Sequence, residues 1–492
     1  MPDDMRAAAR PVGARLAPVT GRLAAAFAVA GHHLYLVGGP VRDAVLGLEA
    51  TDLDFTTAAR PDQIEAVLRT LGGPIWDVGR QFGTIGTKLG DGQRSWTVEV
   101  TTFRADAYRP DSRKPAVRFG DTIEEDLKRR DFTVNAMAVD LADGRLVDPF
   151  GGLADLAAKV LRTPAPAVES FSDDPLRMLR AARFAARLQL RPTPEVVLAM
   201  RQLGERLEIV SAERVRDELS KLLLSEKPRT GLDLAVRTGL ADHFLPELPA
   251  LRLEVDEHHR HKDVYQHSLT VLDQSIALEA ARGHQPDVVN RLAALLHDIG
   301  KPKTRRYQPG GKVSFHHHDV VGAKLARRRL TELRYPGEVV EAVAELTELH
   351  LRFHGYGDGQ WTDSAVRRYV RDAGPQLERL HILTRSDCTT RNQAKATLLR
   401  RAYDELEWRI DELSSQEELE SIRPELDGHD IMRLLDLPPS RAVGQAYQFL
   451  LDLRLDEGPL GEAAAAERLR AWWSQRQSEG TEPTSRPAPD LG

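Results

Sequence analysis

Residues 36–55 read LVGGPVRDAVLGLEATDLDF, and the fold is decided there. The apolar run His33-Leu34-Tyr35-Leu36-Val37 that leads into it has the composition of a buried strand. Gly38-Gly39 follows at once. A glycine pair at a strand end lets backbone N–H groups approach a ligand closely, and phosphate is the usual one. Asp52-x-Asp54 closes the stretch. Residues two apart in a strand point to the same side, so these carboxylates share a face and repel unless a cation sits between them. Oxygen-only ligands favour Mg²⁺. Glycine-held phosphate beside a dicarboxylate metal site points to two-metal phosphoryl or nucleotidyl transfer. A strand, a glycine turn and a solvated acidic loop account for the same letters without chemistry.

The neighbouring residues separate those readings. GG-x-VRD, a short spacer and D-x-D resemble motif A of the nucleotidyltransferase superfamily, in the branch of bacterial CCA-adding enzymes and poly(A) polymerases, the actinobacterial CCA-adding type among them. The resemblance implies that Gly38, Gly39 and Arg42 hold a triphosphate and that Asp52 and Asp54 hold Mg²⁺. Glu99 lies in VEVTTFR, on the face opposite Val98 and Val100. An exposed strand Glu accounts for it equally, but the resemblance implies a third acidic group here, able to ligand a metal or take a proton from an attacking hydroxyl.

Two further segments carry the resemblance. RRDFTVNAMA, from Arg129, is similar to motif B, which makes Arg130, Asp131 and Asn135 nucleotide contacts. Asp148-Pro149-Phe150-Gly151-Gly152 resembles motif C, whose glycines imply a hinge. Asp173-Asp174-Pro175-Leu176-Arg177 reads as the opening of a helix that carries on through Arg180, Arg183, Arg187 and Arg191 as a basic stripe. Asp174 and Arg177, three apart, pair an acceptor with a forked donor and match the Watson–Crick edge of cytosine or adenine. The segment resembles motif D, in which such a pair reads CTP and ATP without a nucleic-acid template, with Arg180 and Arg183 lining the same pocket. The family usually has Glu where this chain has Asp173, which leaves the role of that residue open. Val210 to Leu219 resembles motif E, with Ser211 a helix cap and Arg214 a brace.

The rest of the chain sets the frame. With 492 residues it exceeds one ordinary core. A charged fraction of 29% and an apolar fraction of 41% are those of a soluble globular protein. A net charge of −6 argues against a general polyanion coat, though local basic stripes can still hold RNA. The single cysteine, Cys388, excludes an internal disulfide and fits the reducing cytoplasm. No stretch reaches the roughly 18 apolar residues of a membrane span.

The patterns predict an α+β protein: a small mixed-sheet head followed by an all-α neck, a further helical domain and a C-terminal helical body. The expected divisions are a flexible arm over 1–21, a head over 22–155 and a neck over 156–250. A domain over 251–395, a helical region over 396–473 and a disordered tail over 474–492 follow. Val134–Leu141 and Arg145–Val147 read as a hairpin, and the Arg- and Pro-rich stretch Ala107–Gly120 as a mobile loop.

The second half is rich in histidine. His267, His297-Asp298, His318, His350 and Asp387 lie in helical patterns. Neutral imidazoles with carboxylates from several helices suit a mono- or dinuclear transition-metal site. The set resembles the HD phosphohydrolase superfamily, with His316, His317 and His354 as alternative ligands to His318 and His350. LDGHDIM at Leu426 resembles a C-terminal segment that supports RNA.

Taken together, the resemblance implies a Mg²⁺-dependent nucleotidyltransferase that adds C, C and A from CTP and ATP to a tRNA 3′ end and releases pyrophosphate. Three alternatives stand beside it: a poly(A) polymerase, an HD phosphohydrolase with a nucleotide-sensing head, and an RNA-binding protein without turnover.

Overall fold

The structure is a computed structural model that describes residues 11–49, 52–90, 94–104, 107–109, 112–116, 118–252, 263–309, 313–355, 361–390, 392–417, 419 and 422–479. Helix α1 (Pro11–Val29) opens it. Residues 11–21 therefore belong to a helix and not to a loose arm; residues 1–10 lie outside the described residues. Leu23 and Phe27, one turn apart, are fully buried and anchor α1 on the sheet.

The sheet is built from β1 (Leu34–Val37), β2 (Asp52–Thr57), β3 (Ile75–Trp76), β4 (Thr84–Gly90) and β5 (Ser95–Thr102), with helices α2 (Gly39–Val45) and α3 (Pro61–Arg69) between them. The segment 107–116 holds β6 (Ala107–Arg109) paired with β7 (Ser112–Ala116), so the expected mobile loop contains a small hairpin. After α4 (Ile123–Lys128) come β8 (Ala138–Asp140) and β9 (Leu146–Val147). The seven-stranded order is β3-β4-β5-β2-β1-β8-β9. Only β2 and β5 pair in parallel; the other neighbours are antiparallel, so the sheet is mixed. The predicted hairpin forms, but its first strand is short: residues 133–135 make a 3₁₀ turn.

Beyond the head the chain is mainly helical, with two short strand pairs, Val160–Leu161 beside Arg191–Pro192 and Arg306–Tyr307 beside Val313–Ser314. α5 (Gly152–Ala158), α6 (Ala167–Asp173), α7 (Leu176–Arg187), α8 (Pro194–Leu203), α9 (Ala212–Leu223) and α10 (Pro228–Arg237) form the neck. α11 (Val264–Ala281), α12 (Val288–Leu296), α13 (Lys301–Thr304), α14 (His318–Glu332), α15 (Gly337–Leu349), α16 (Asp363–Ala373) and α17 (Leu377–Asp387) follow. One apolar core runs from Phe132 through the neck helices to Leu419. The long α18 (Gln393–Gln416) leads to α19 (Gly428–Leu435), α20 (Arg441–Glu457) and α21 (Glu462–Glu479), which close on a small core of their own. Residues 474–479, expected in a disordered tail, complete α21; residues 480–492 lie outside the described residues.

The head–neck joint is packed, not loose. Gly151 takes a left-handed φ of 71°. A Cβ on Gly152 would stand 2.1 Å from the Thr133 carbonyl oxygen. Asp148 accepts from the N–H groups of Gly152 (2.7 Å) and Leu153 (2.9 Å), and Asp155 accepts from the Thr133 hydroxyl (2.7 Å). The expected glycine hinge is thus a tightly fitted corner, because the backbones approach too closely for any side chain.

Candidate active sites in the head and in the second half

In β2, Leu53 and Phe55 are buried while Asp52 and Asp54 face solvent. The parallel register sets Asp54 beside Glu99 of β5, and Asp52 beside Thr97. Leu36 pairs with Phe55 across β1 and β2, which brings the turn after β1 to the edge where the carboxylates stand. Loss of surrounding water raises the pKa of Asp54, Asp52 adds to the shift, and Arg130 opposes it. Glu99 is raised in the same way, by desolvation first and then by Asp54 and Asp52. Two carboxyls with raised pKa values beside a third carboxylate are the donor set a hard divalent cation relieves. Among the described residues the head triad does not draw its oxygens as close together as the two groupings in the second half.

Gly38 has φ 76° and ψ −132°. A Cβ there would lie 2.8 Å from Arg130 Nη1, so glycine is what lets that guanidinium rest on the turn. Arg130 Nη2 donates to Asp126 Oδ2 (3.2 Å), while its buried Nε has no partner. Asp126 also accepts from Arg129 (2.8 Å) and from the Arg104 N–H (3.2 Å). Burial opposes its charge, but Arg129 and Arg130 outweigh that and hold its pKa low. Asp126 was not among the sequence-predicted residues; it stands on α4, and Arg130 lies beyond the end of that helix.

A polar chain leads from the turn into the neck. Arg42 donates to Asn135 and to Asp43 (2.8 Å). Asn135 donates to Asp131 (3.0 Å), and Asp131 accepts from Arg180 (2.8 Å). Burial works against the Asp131 charge, but Arg180 and Asn135 keep its carboxyl well below the usual range. Arg183 donates to Glu218 of α9 (2.5 Å), with Arg180 at 3.8 Å from the same carboxylate. Arg42, Arg180 and Arg183 surround the Phe184 ring at 5.3, 5.7 and 4.2 Å.

The expected basic stripe is therefore only partly a solvated face: Arg180 is half-buried against Asp131, and Arg187 stays exposed, 3.6 Å from Asp43. Arg177 and Arg183 are buried on α7, and Arg191 lies beyond the helix in a short strand pair. Asp174 is not on the helix either. It sits between α6 and α7 with φ −136° and ψ 98°, because a residue before proline is barred from helical backbone. Its Oδ1 accepts from the Leu176 N–H (3.2 Å) and its Oδ2 from Arg214 (3.0 Å). Arg177 donates to Ser170 Oγ (2.8 Å) and to the Arg129 carbonyl.

The second half brings all six expected residues to one place. His267, His297 and Asp387 form one grouping and Asp298, His318 and His350 another, each with ligand atoms within 4.8 Å. His267 and Asp387 come from α11 and α17; the rest stand at helix ends, which aims them at one point. Asp298 lies 3.3 Å from both His297 and His318 and 3.6 Å from His267, so it joins the groupings. His297, His318 and His350 point Nδ1 at the carbonyls of Ala294 (2.9 Å), Phe315 (2.8 Å) and Thr347 (2.6 Å). Carbonyls only accept, so Nδ1 carries the proton and Nε2 faces the centre.

There, His318 Nε2 and His350 Nε2 are buried without hydrogen-bond partners, while Asp298 Oδ2 lies 3.0 Å from Lys301 Nζ. Orphaned donor atoms in that geometry fit a metal. Burial, with His297 adding, pushes His350 down to about 3, so it offers a lone pair. Burial also works against a charge on His297, but Asp298 and Asp387 raise it to about 9: a proton takes the place of a cation between two carboxylates. His316 and His317 are exposed, which leaves His318 as the inward group; the side chain of His354 lies outside the described part.

Three family models match in chain order. The poly A polymerase head domain matches residues 34–162, the probable RNA and SrmB- binding site of polymerase A residues 189–251, and the HD domain residues 264–392. An A-adding tRNA nucleotidyltransferase of Deinococcus radiodurans is 35% identical over 460 residues, 91% of this chain and 96% of that protein. A multifunctional CCA protein of Neisseria gonorrhoeae is 35% identical over 337 residues, 66% of this chain and 75% of its own. The crystal structure of the Bacillus stearothermophilus CCA-adding enzyme in complex with CTP shares the fold, with a TM-score of 0.65, 24% identity and 94% and 99% of the two chains covered. Among the described residues no helix is long and apolar enough to cross a membrane.

Proposed function

The chain belongs to the tRNA nucleotidyltransferase and poly(A) polymerase family, and from that premise we propose that it adds C, C and A to the 3′ end of tRNA in the cytoplasm, from CTP and ATP. The observation that carries the proposal is the alignment of Asp52, Asp54 and Glu99 on one face, at the sheet edge shared with the Gly38 turn. Asp52 and Asp54 hold Mg²⁺, which neutralises triphosphate charge and the developing charge of transfer. Gly38, Gly39, Arg42 and Arg130 receive the triphosphate, and Asp131 and Asn135 set the position of Arg42 and Arg180. Glu99 stands beside Asp54 with a raised pKa, which suits a group that accepts the proton of the attacking 3′-hydroxyl. The hydroxyl attacks the α-phosphate in line and pyrophosphate leaves. Asp174 and Arg177 read the base, with Arg180 and Arg183 lining the pocket.

The cluster of His267, His297, Asp298, His318, His350 and Asp387 would hold a transition metal in a separate site. Such a metal lowers the pKa of bound water and polarises a phosphoryl group. The substrate class is a phosphoester such as the 2′,3′-cyclic phosphate of a damaged RNA end. The orphaned imidazole nitrogens support this over a metal-free remnant.

A second reading of the head has one observation in its favour: the relative matched over 91% of this chain is named for adding A alone. Labelled CTP offered with tRNA lacking CCA, and labelled ATP offered with tRNA ending in CC, decide between them. Incorporation of C followed by A is the expected result. Incorporation confined to A on the CC-ending tRNA makes it an A-adding enzyme, and long A tails on unrelated RNA a poly(A) polymerase. No incorporation at all overturns the transfer reading.

A further inference from the structure

Arg214 was expected only to brace the neck, yet its contact is with the residue assigned to read the base. It stands in the first turn of α9 and donates from Nη2 to Asp174 Oδ2 at 3.0 Å. The Leu176 N–H holds the other oxygen, Oδ1, at 3.2 Å. Asp174 belongs to no helix, so no regular backbone fixes its side chain. These two donors, one from each oxygen's side, fix the plane of the carboxylate. Each carboxylate oxygen accepts more than one hydrogen bond, so Oδ2 keeps a free lone pair for a further donor. Asp174 retains 21% side-chain exposure, which leaves that oxygen reachable.

The chemistry of the bases makes orientation decisive. Cytosine and adenine carry an exocyclic amine on the edge where uracil and guanine carry a carbonyl. A fixed acceptor welcomes the amine and leaves the carbonyl facing a second acceptor with no proton between them. A carboxylate free to turn away loses that penalty. Arg177 is not the restraint on that carboxylate: it donates to Ser170 and to the Arg129 carbonyl. Glu218, one turn after Arg214 on α9, orients Arg183. One face of α9 thus sets two side chains of the pocket.

We propose that Arg214 is a specificity-determining residue that acts through Asp174, holding its carboxylate so that amino-bearing bases are accepted and oxo-bearing bases refused. The inference rests on the reading of Asp174 as the base contact. The test is single-turnover incorporation of each of the four nucleotides by the full chain and by Arg214→Ala, Arg214→Lys, Asp174→Ala and the double variant, with melting temperatures alongside. Arg214 has 42% side-chain exposure, so its replacement leaves the fold intact. Arg214→Ala is expected to lower the preference for CTP and ATP over UTP and GTP by about tenfold, with a smaller loss in the rate for the correct nucleotide. Arg214→Lys, which keeps one donor, recovers part of the preference, and the double variant is no worse than Asp174→Ala. If Asp174→Ala loses the preference while Arg214→Ala keeps it, the inference is wrong and the base-reading assignment stands. If Asp174→Ala itself keeps the preference, that assignment fails and this inference falls with it.

Discussion

The head and the second half both gather carboxylates for a metal, and they do it in opposite ways. In the head the ligands stand on adjacent strands at an open sheet edge, where desolvation first and neighbouring carboxylates second raise the pKa values of Asp54 and Glu99. In the second half they come from separate helices and are buried; three of the histidines are fixed by backbone carbonyls behind them. The first arrangement suits Mg²⁺, which keeps part of its water and arrives with a triphosphate. It needs an open edge that substrate can complete. The second suits a resident metal, whose site is built by folding and paid for in packing. An open site releases its metal readily, whereas a closed one with fixed imidazoles retains it.

The sharpest way to break that contrast is to remove one ligand from the open site. Asp52→Ala or Asp54→Ala is expected to depress incorporation of both CTP and ATP by about a thousandfold or more. The melting temperature should not fall, because both side chains face solvent and neither fills the core. Rapid-quench incorporation and a thermal scan measure the two halves of this statement. A folded Asp54→Ala protein with near-normal turnover would remove the carboxylates from the chemistry and leave the head an acidic surface.

The closed site should respond in the reverse sense. Protein purified without added metal is expected to carry a transition metal, and His297→Ala/Asp298→Ala to carry none. The double variant should lose any phosphodiester hydrolysis and the several-degree rise in melting temperature that metal confers on the parent chain. Its nucleotide addition should be unchanged, since the six ligands lie outside the head and neck contacts described above. One link tests that independence severely. Arg291 of α12 donates to the carbonyls of Leu223 (2.7 Å) and Ser225 (2.9 Å), at the end of the helix that carries Arg214 and Glu218. A fall in addition by the folded double variant would mean that this strut transmits the state of the metal site.

The same contrast explains what was legible beforehand. A period of two put Asp52 and Asp54 on one face, and the beta register then supplied Glu99 as their neighbour. The six residues of the second half were named through the resemblance to HD proteins, with His316, His317 and His354 open as alternatives, and the fold brings the six together. The partners that orient functional groups were not nameable. Asp126, Glu218 and Asp43 are ordinary acidic letters on helices, and only tertiary packing assigns them to Arg130, Arg183 and Arg42. The basic stripe on α7 was misjudged for the same reason, since periodicity finds a face but not what that face meets. Asp174 is different: Pro175 already announced that it would stay out of the helix, and that signal outranked the charge pattern.

The smallest effect distinguishes the sites by their protons. Glu99 binds its proton more tightly in the folded chain than in the unfolded one, because desolvation, Asp54 and Asp52 disfavour its charge. A raised carboxyl pKa means that folding favours the protonated form. Stability from this group is therefore greatest at low pH and declines as pH rises through the ordinary carboxylate range to the raised value. At neutral pH, without divalent metal, Glu99→Gln should melt slightly higher than the parent chain. The gain should vanish once the pH falls below the carboxylate range, and saturating Mg²⁺ should reverse it, since only the carboxylate helps to balance the cation. In the second half Asp298 is held well below its usual range, burial being outweighed by Lys301 and His297, so a neutral replacement there should lower the melting point. Thermal scans of both variants against pH, with and without Mg²⁺, read these opposite signs directly. A Glu99→Gln protein that melts lower than its parent in the absence of metal would show that the head carboxylates do not strain one another, and the distinction between an open, charge-stressed site and a closed, charge-balanced one would fail.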